Sequence, residues 1–164
     1  MTYERATGAA ERTVAGGIAA ALLAAAATAG ALVGFGMRDR APARFFSAAG
    51  QQLRGIPPFV TPDRGFGAAA WLGIAQHLVV VGLWAVLFTS LAARLRGLAL
   101  AAAAAAFATA VFLLDGALPD TLRLAAGALN APQRLVVAII FAAALVVGMR
   151  LARRDRGRRT GAPS

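Results

Sequence analysis

The chain has 164 residues, 59% of them hydrophobic and 15% charged; 17 arginines and no lysine stand against seven acids, with one histidine and no cysteine, for a net charge of +10. Water-soluble domains run nearer half apolar and a quarter charged, whereas here the apolar excess is gathered into a few long runs, at a mean hydropathy of +0.68. This composition excludes an ordinary soluble domain, a disulfide-stapled secreted module and any cysteine-based metal or redox site.

Residues 1–12 form a short polar tail. The run Thr13 to Met37 follows, 25 residues without a charge, and a helix needs about 20 mostly apolar residues to cross roughly 30 Å of hydrocarbon. A first span over 13–37 is therefore expected. The run is longer than the h-region of a cleaved signal peptide, about 7–15 residues, so a retained helix is the better reading, although Ala27–Gly30 resembles a cleavage site. Ala26, Gly30 and Gly34 make a small-residue strip of the kind through which helices associate in lipid. Packing inside the bundle is the expected use of the strip, and a homodimer contact is the alternative.

The loop from Arg38 to Gly67 is the longest polar stretch. Within it Phe45, Phe46, Ala49 and Leu53 share one helical face, while Arg44, Ser47, Gln51, Gln52 and Arg54 lie largely away from it. That pattern predicts a short amphipathic helix in the membrane interface. Gly55-Ile56-Pro57-Pro58-Phe59 forbids helix and forces an extended segment, and the turn-rich Thr61–Gly67 leads on to the next span. Phe45, Phe46 and Phe59 are the candidates for a docking surface on this side.

A second span is expected over 68–93, with His77 about ten residues in and so near mid-membrane. Gly73, His77, Val81, Trp84 and Phe88 fall roughly on one face, of which Gly73 and Trp84 are candidate helix-packing residues. An ionisable group at that depth is costly without a partner and is a functional candidate by default. Three roles compete for His77: a haem ligand, a proton relay or polar path, and a neutral imidazole hydrogen-bonded to a neighbouring helix. A b-type haem usually takes two histidines and the chain has one, so a second would have to come from another subunit. The interhelical role is favoured, no cofactor is expected, and haem at His77 is the alternative.

Arg94-Leu95-Arg96 is a short hinge. A third span over 98–118 contains the low-complexity run Ala101–Ala106 and ends past Asp115, read as a solvated boundary acid near Arg123 or Arg134. Pro119 starts a weaker helical pattern through Leu122, Ala125, Ala126 and Leu129. The fourth span, over 131–151, begins at Asn130-Ala131-Pro132, a cap residue followed by proline in the first turn.

Residues 152–164 are a basic tail. Arg150, Arg153, Arg154, Arg156, Arg158 and Arg159 directly follow the last span without an aromatic residue to stack a base, so the expected partner is anionic lipid, at about 1 kcal/mol per arginine, and not nucleic acid. With both termini on one side, that side holds ten arginines against seven. The hinge and the tail lie close to helix ends, where the positive-inside bias is counted, and so place both termini in the cytoplasm. The five arginines of the first loop oppose this. Arginine in place of lysine, with abundant alanine, glycine and proline, is the composition of a GC-rich bacterial genome, hence an inner-membrane protein.

Leu72-Gly73-Ile74-Ala75-Gln76-His77-Leu78-Val79-Val80-Val81-Gly82-Leu83-Trp84-Ala85-Val86-Leu87-Phe88 resembles the second helix of uncharacterised small four-helix bacterial membrane proteins. In those a Gly-rich first span and an aromatic outer loop precede a similar helix. The likeness covers about the first half of the chain and implies no biochemical activity. His77 and Trp84, seven apart, are also similar to a helix of the copper-resistance membrane family, from which this chain departs in its few spans and its lack of a Met- or His-rich entry site.

The expected architecture is all-α: a polytopic four-transmembrane-helix bundle with a short interfacial helix in the first outer loop. No acid lies inside the first, second or fourth span, which argues against a cation-coupled transporter. Neither a carboxylate pair, a phosphate loop nor an activated nucleophile is evident, so no enzymatic activity is expected. The reading these absences leave is a protein acting by association, with other membrane proteins or with itself. The alternative is a haem-binding or polar-solute-conducting protein centred on His77.

Overall fold

A computed structural model describes residues 2–56, 66–119 and 129–160 of the chain, with side chains described between residues 17 and 154 within those limits except at Gly116. Its helices are α1 (Thr2–Arg38), α2 (Arg44–Leu53), α3 (Ala68–Leu91), α4 (Gly97–Leu114) and α5 (Ala131–Thr160), with a 3-10 turn at Asp115–Ala117 after α4. Among the described residues there is no strand. Four segments are long and apolar enough to cross a membrane: Gly17–Arg38, Ala68–Leu91, Gly97–Leu114 and Ala131–Arg154. The protein is thus an all-α, multi-pass membrane bundle. Phe59, Asp120, Arg123 and the helical pattern after Pro119 lie outside the described residues, as do the side chains of Arg156, Arg158 and Arg159.

The ends of the elements follow from local chemistry. At the end of α1 the Ala41 amide donates to Gly36 O (2.9 Å) and the Arg40 amide to Met37 O (3.0 Å), a Schellman motif that satisfies two last-turn carbonyls. It places Arg40 in the left-handed region at φ 54°. The same motif ends α2, where Ile56 bonds Gln51 O and Gly55 bonds Gln52 O; here the left-handed residue is Gly55, φ 68°, which has no Cβ to clash. α5 opens as its sequence predicts. Asn130 Oδ1 accepts from the Gln133 amide (3.0 Å) and Gln133 Oε1 accepts from the Asn130 amide (3.1 Å), a reciprocal capping box.

α1 is the centre of the assembly. It packs against both α3 and α5, α4 packs on α5, and α2 lies along α3. The close approaches are made by small residues. A Cβ on Gly148 would fall 2.5 Å from Ala20 Cα, which marks the α1–α5 crossing, and one on Gly17 would meet Thr89 Oγ1 at 3.1 Å. Successive spans are antiparallel, and α3 and α4 meet through rings: Trp84 stands edge-on to Phe107 at 6.0 Å and Phe88 lies 5.2 Å from it. The outer faces are apolar, with Leu22, Val79, Leu91, Leu98 and Leu113 all well exposed, as lipid requires.

α2 is the main departure from expectation in surroundings. The helix forms where the pattern puts it, but its apolar side is turned onto α3. Cβ atoms built on Gly50 and Gly73 would overlap the carbonyl oxygens of Ala69 and Phe46 at 1.8 and 1.9 Å. Two glycines therefore let two backbones touch. Phe45 and Phe46 are buried at 3% and 1% exposure, so neither ring is presented outward for docking. Ser47 and Gln51, expected to face away from the apolar side, are buried as well; Arg44 pairs with Asp39 at 2.6 Å in contact with solvent, where such a pair is worth little.

Candidate functional site

His77 lies one turn past Gly73 on α3 and is 2% exposed. Across the bundle stands Thr28, near the middle of the α1 span and itself 2% exposed. Thr28 Oγ1 is 3.0 Å from His77 Nε2 and 2.7 Å from the carbonyl oxygen of Ala24 on its own helix. A threonine hydroxyl has one hydrogen. Donated to Ala24, it leaves Oγ1 to accept from His77 Nε2–H, and the imidazole is then the Nε2–H tautomer. Its Nδ1 is left a buried acceptor without a hydrogen-bond partner among the described residues, as Ser47 Oγ is on α2. Phe46 closes the opposite side, edge-on to the imidazole with centroids 5.6 Å apart. His77 thereby joins three helices: α1 by a hydrogen bond, α2 by a ring contact, and α3 by its own backbone.

Beside it is a cavity of about 10 Å³ lined by Thr28, Leu32, His77, Val81, Phe112, Val137 and Phe141. That is about the room of one water molecule, and the lining is otherwise hydrocarbon. A haem does not fit here. Sites for ligands of drug size are hundreds of Å³, the imidazole nitrogen nearest α1 is already bonded, and the ring does not reach the lipid-facing surface. Among the described residues no three His, Asp or Glu side chains gather in a way that could hold a metal ion.

The small-residue strip on α1 points the other way. Ala26, Gly30 and Gly34 are all exposed, and a Cβ at Gly30 or Gly34 would have nothing within 4 Å. The expectation that this strip packs the bundle is therefore corrected: internal contacts are made by Gly17, Gly36, Gly50, Gly73 and Gly148. Gly73 lies against the backbone of Phe46 on α2, and Trp84 stands edge-on to Phe107 of α4.

Two charged residues also sit otherwise than expected. Asp115 is buried at 4% exposure and is no solvated boundary acid. Arg153, expected to face lipid with the tail, donates Nη1 to Leu95 O (2.7 Å) and Nη2 to Ala93 O (3.1 Å) on the α3–α4 hinge. Arg150 and Arg154 remain exposed.

Sequence reasoning missed Thr28 and Gly50. Thr28 was open to detection, as a polar side chain at the depth of His77 in the adjoining span. Gly50 carried no comparable signal, because a glycine in a surface-type helix reads only as a weak point. No protein-family model matches this chain, nor does a curated protein or a solved structure.

Proposed function

We propose that the protein acts by lateral association in the bilayer, as an accessory subunit or small scaffold of a bacterial inner-membrane complex, with both termini cytoplasmic and no catalytic role. The observation that carries this reading is the outward strip Ala26, Gly30, Gly34. Gly17, Gly36, Gly50, Gly73 and Gly148 are filled by neighbouring groups, whereas Gly30 and Gly34, one turn apart on one face of α1, have nothing within 4 Å; Gly82 on α3 is also open but belongs to no such strip. In lipid the hydrophobic effect does not drive helices together, and association rests on close packing at small residues. Ile18 and Leu22 continue the same i, i+4 ridge toward the N-terminus, at 52% and 66% exposure, and the face carries no charge until Arg38. A partner helix laid along it would bring its backbone against Gly30 and Gly34, with the leucine and isoleucine as flanking contacts. The partner is another membrane protein or a second copy.

The test is native mass spectrometry of tagged protein released from its own host's membranes in mild detergent, beside a Gly30→Leu/Gly34→Leu variant. The expected result is a wild-type mass above the monomer and a variant that runs as a folded monomer. A lone wild-type monomer, or a variant that keeps its partner, overturns the reading.

A second reading, a polar path through the bundle at His77, is favoured by one observation, the buried Nδ1 without a hydrogen-bond partner among the described residues. It requires that His77→Ala abolish a solute flux in proteoliposomes and leave assembly unchanged.

A further inference from the structure

We infer that the α3–α4 hinge and the basic turn of α5 form one binding site for the phosphate headgroup of an anionic phospholipid, assembled by Arg153. Arg153 spans the hinge by donating to the carbonyls of Ala93 and Leu95, residues 60 and 58 positions away in the chain. Those carbonyls follow the C-terminus of α3, where the helix dipole favours a cation. The clamp fixes the hinge, with Arg94 and Arg96, against the turn of α5 that carries Arg150 and Arg154. All four side chains are exposed, and none has a hydrogen bond or ion pair among the described residues. The described acidic side chains, Asp39 and Asp115, belong to the opposite end of the bundle.

Four exposed guanidiniums held from two sides suit a phosphodiester, which guanidinium recognises through paired charge-assisted hydrogen bonds. The attached apolar surface selects lipid over free phosphate. Leu91 and Leu98, which flank the hinge, are 70% and 86% exposed, and Leu151 on α5 is 48% exposed. An acyl chain descending from a headgroup at the arginines would lie along these leucines. This site is independent of the strip on α1. It differs from a diffuse attraction of the tail to an anionic leaflet in depending on the hinge and on the geometry of Arg153.

The test is titration of the full chain in neutral detergent with dioleoylphosphatidylglycerol or dioleoylphosphatidylcholine, with bound lipid counted by native mass spectrometry. Phosphatidylglycerol is expected to be retained at least about tenfold better than phosphatidylcholine. Arg94→Gln/Arg96→Gln and Arg150→Gln/Arg154→Gln should each erase most of that preference, whereas Arg38→Gln, at the other end, should not. Arg153→Lys keeps the charge but cannot fork to two carbonyls, and should weaken retention severalfold; the two double variants test the site without disturbing the clamp. Loss in proportion to charge removed anywhere on the chain, equal retention of the two lipids, or full displacement by millimolar inorganic phosphate would each overturn the inference.

Discussion

Thr28 and His77, 49 residues apart in the chain, meet at 3.0 Å midway through two antiparallel spans. In hydrocarbon the alternative to this bond is an unsatisfied imidazole N–H, yet the net value of such bonds is modest, because helices separated in lipid also find partners. Typical values are about 0.6 kcal/mol, reaching about 1.7. Thr28→Val and His77→Phe should each lower stability toward denaturant in detergent. The double variant should cost less than the sum of the two, by about 0.5–1.5 kcal/mol. Strict additivity would mean that the pair is not coupled and that His77 is held by packing alone.

The glycines separate into two classes with opposite expected effects. At Gly50 or Gly73 a single added methyl would sit under 2 Å from a backbone oxygen of the facing helix, so α2 must move away from α3. Gly73→Ala should cost about 2–3 kcal/mol or more and speed amide exchange throughout 44–53. At Gly30 or Gly34 the methyl enters open space, and alanine should leave the monomer's stability unchanged or raise it by up to about 1 kcal/mol through helix propensity. Comparable losses at all four positions would show that the strip on α1 is enclosed within the bundle after all.

Much of this architecture was legible because a bilayer imposes one strong rule: charge-free runs of sufficient length become spans. The four spans, the Asn130 cap and the depth of His77 follow from that rule and from local capping chemistry. What stayed hidden is which way an apolar face turns. In water, hydrophobicity separates core from surface. In lipid both are apolar, so the strip at Ala26, Gly30 and Gly34 reads the same whether it faces protein or bilayer, and the apolar side of α2 is equally suited to an interface and to α3. Thr28 was marked by a depth matching that of His77, whereas the Arg153 clamp on Ala93 and Leu95 is a long-range pairing that no local pattern encodes.

Phe46 illustrates the consequence for mutagenesis. A docking residue would be expendable for folding, but this ring is 1% exposed and sits on the imidazole of His77. Phe46→Ala should therefore lower stability by about 3 kcal/mol, read as a fall in the thermal midpoint in detergent. Trp71, 62% exposed and 6.1 Å from Phe66 at the N-terminal end of α3, has the position of an interfacial anchor. Trp71→Ala should barely change that midpoint while weakening retention in a bilayer. A fall at Trp71 equal to that at Phe46 would place Trp71 in the packed interior.

The start of α5 allows a test confined to two side chains. Asn130 and Gln133 exchange bonds with each other's backbone amide, and Pro132 between them has no amide to satisfy. Asn130→Ala removes the cap acceptor and leaves the Gln133 amide bare, at a cost of about 1 kcal/mol. Asn130→Ser or Asn130→Asp should recover most of it, since either side chain also presents an oxygen to that amide. Gln133→Ala should cost less, because water at the helix end can replace its contact to the Asn130 amide. The difference is measurable as faster amide exchange over 131–134 in the alanine variant, with the rest of the fourth span unchanged. If serine and alanine at 130 behaved alike, the helix start would be set by packing of the span rather than by its cap.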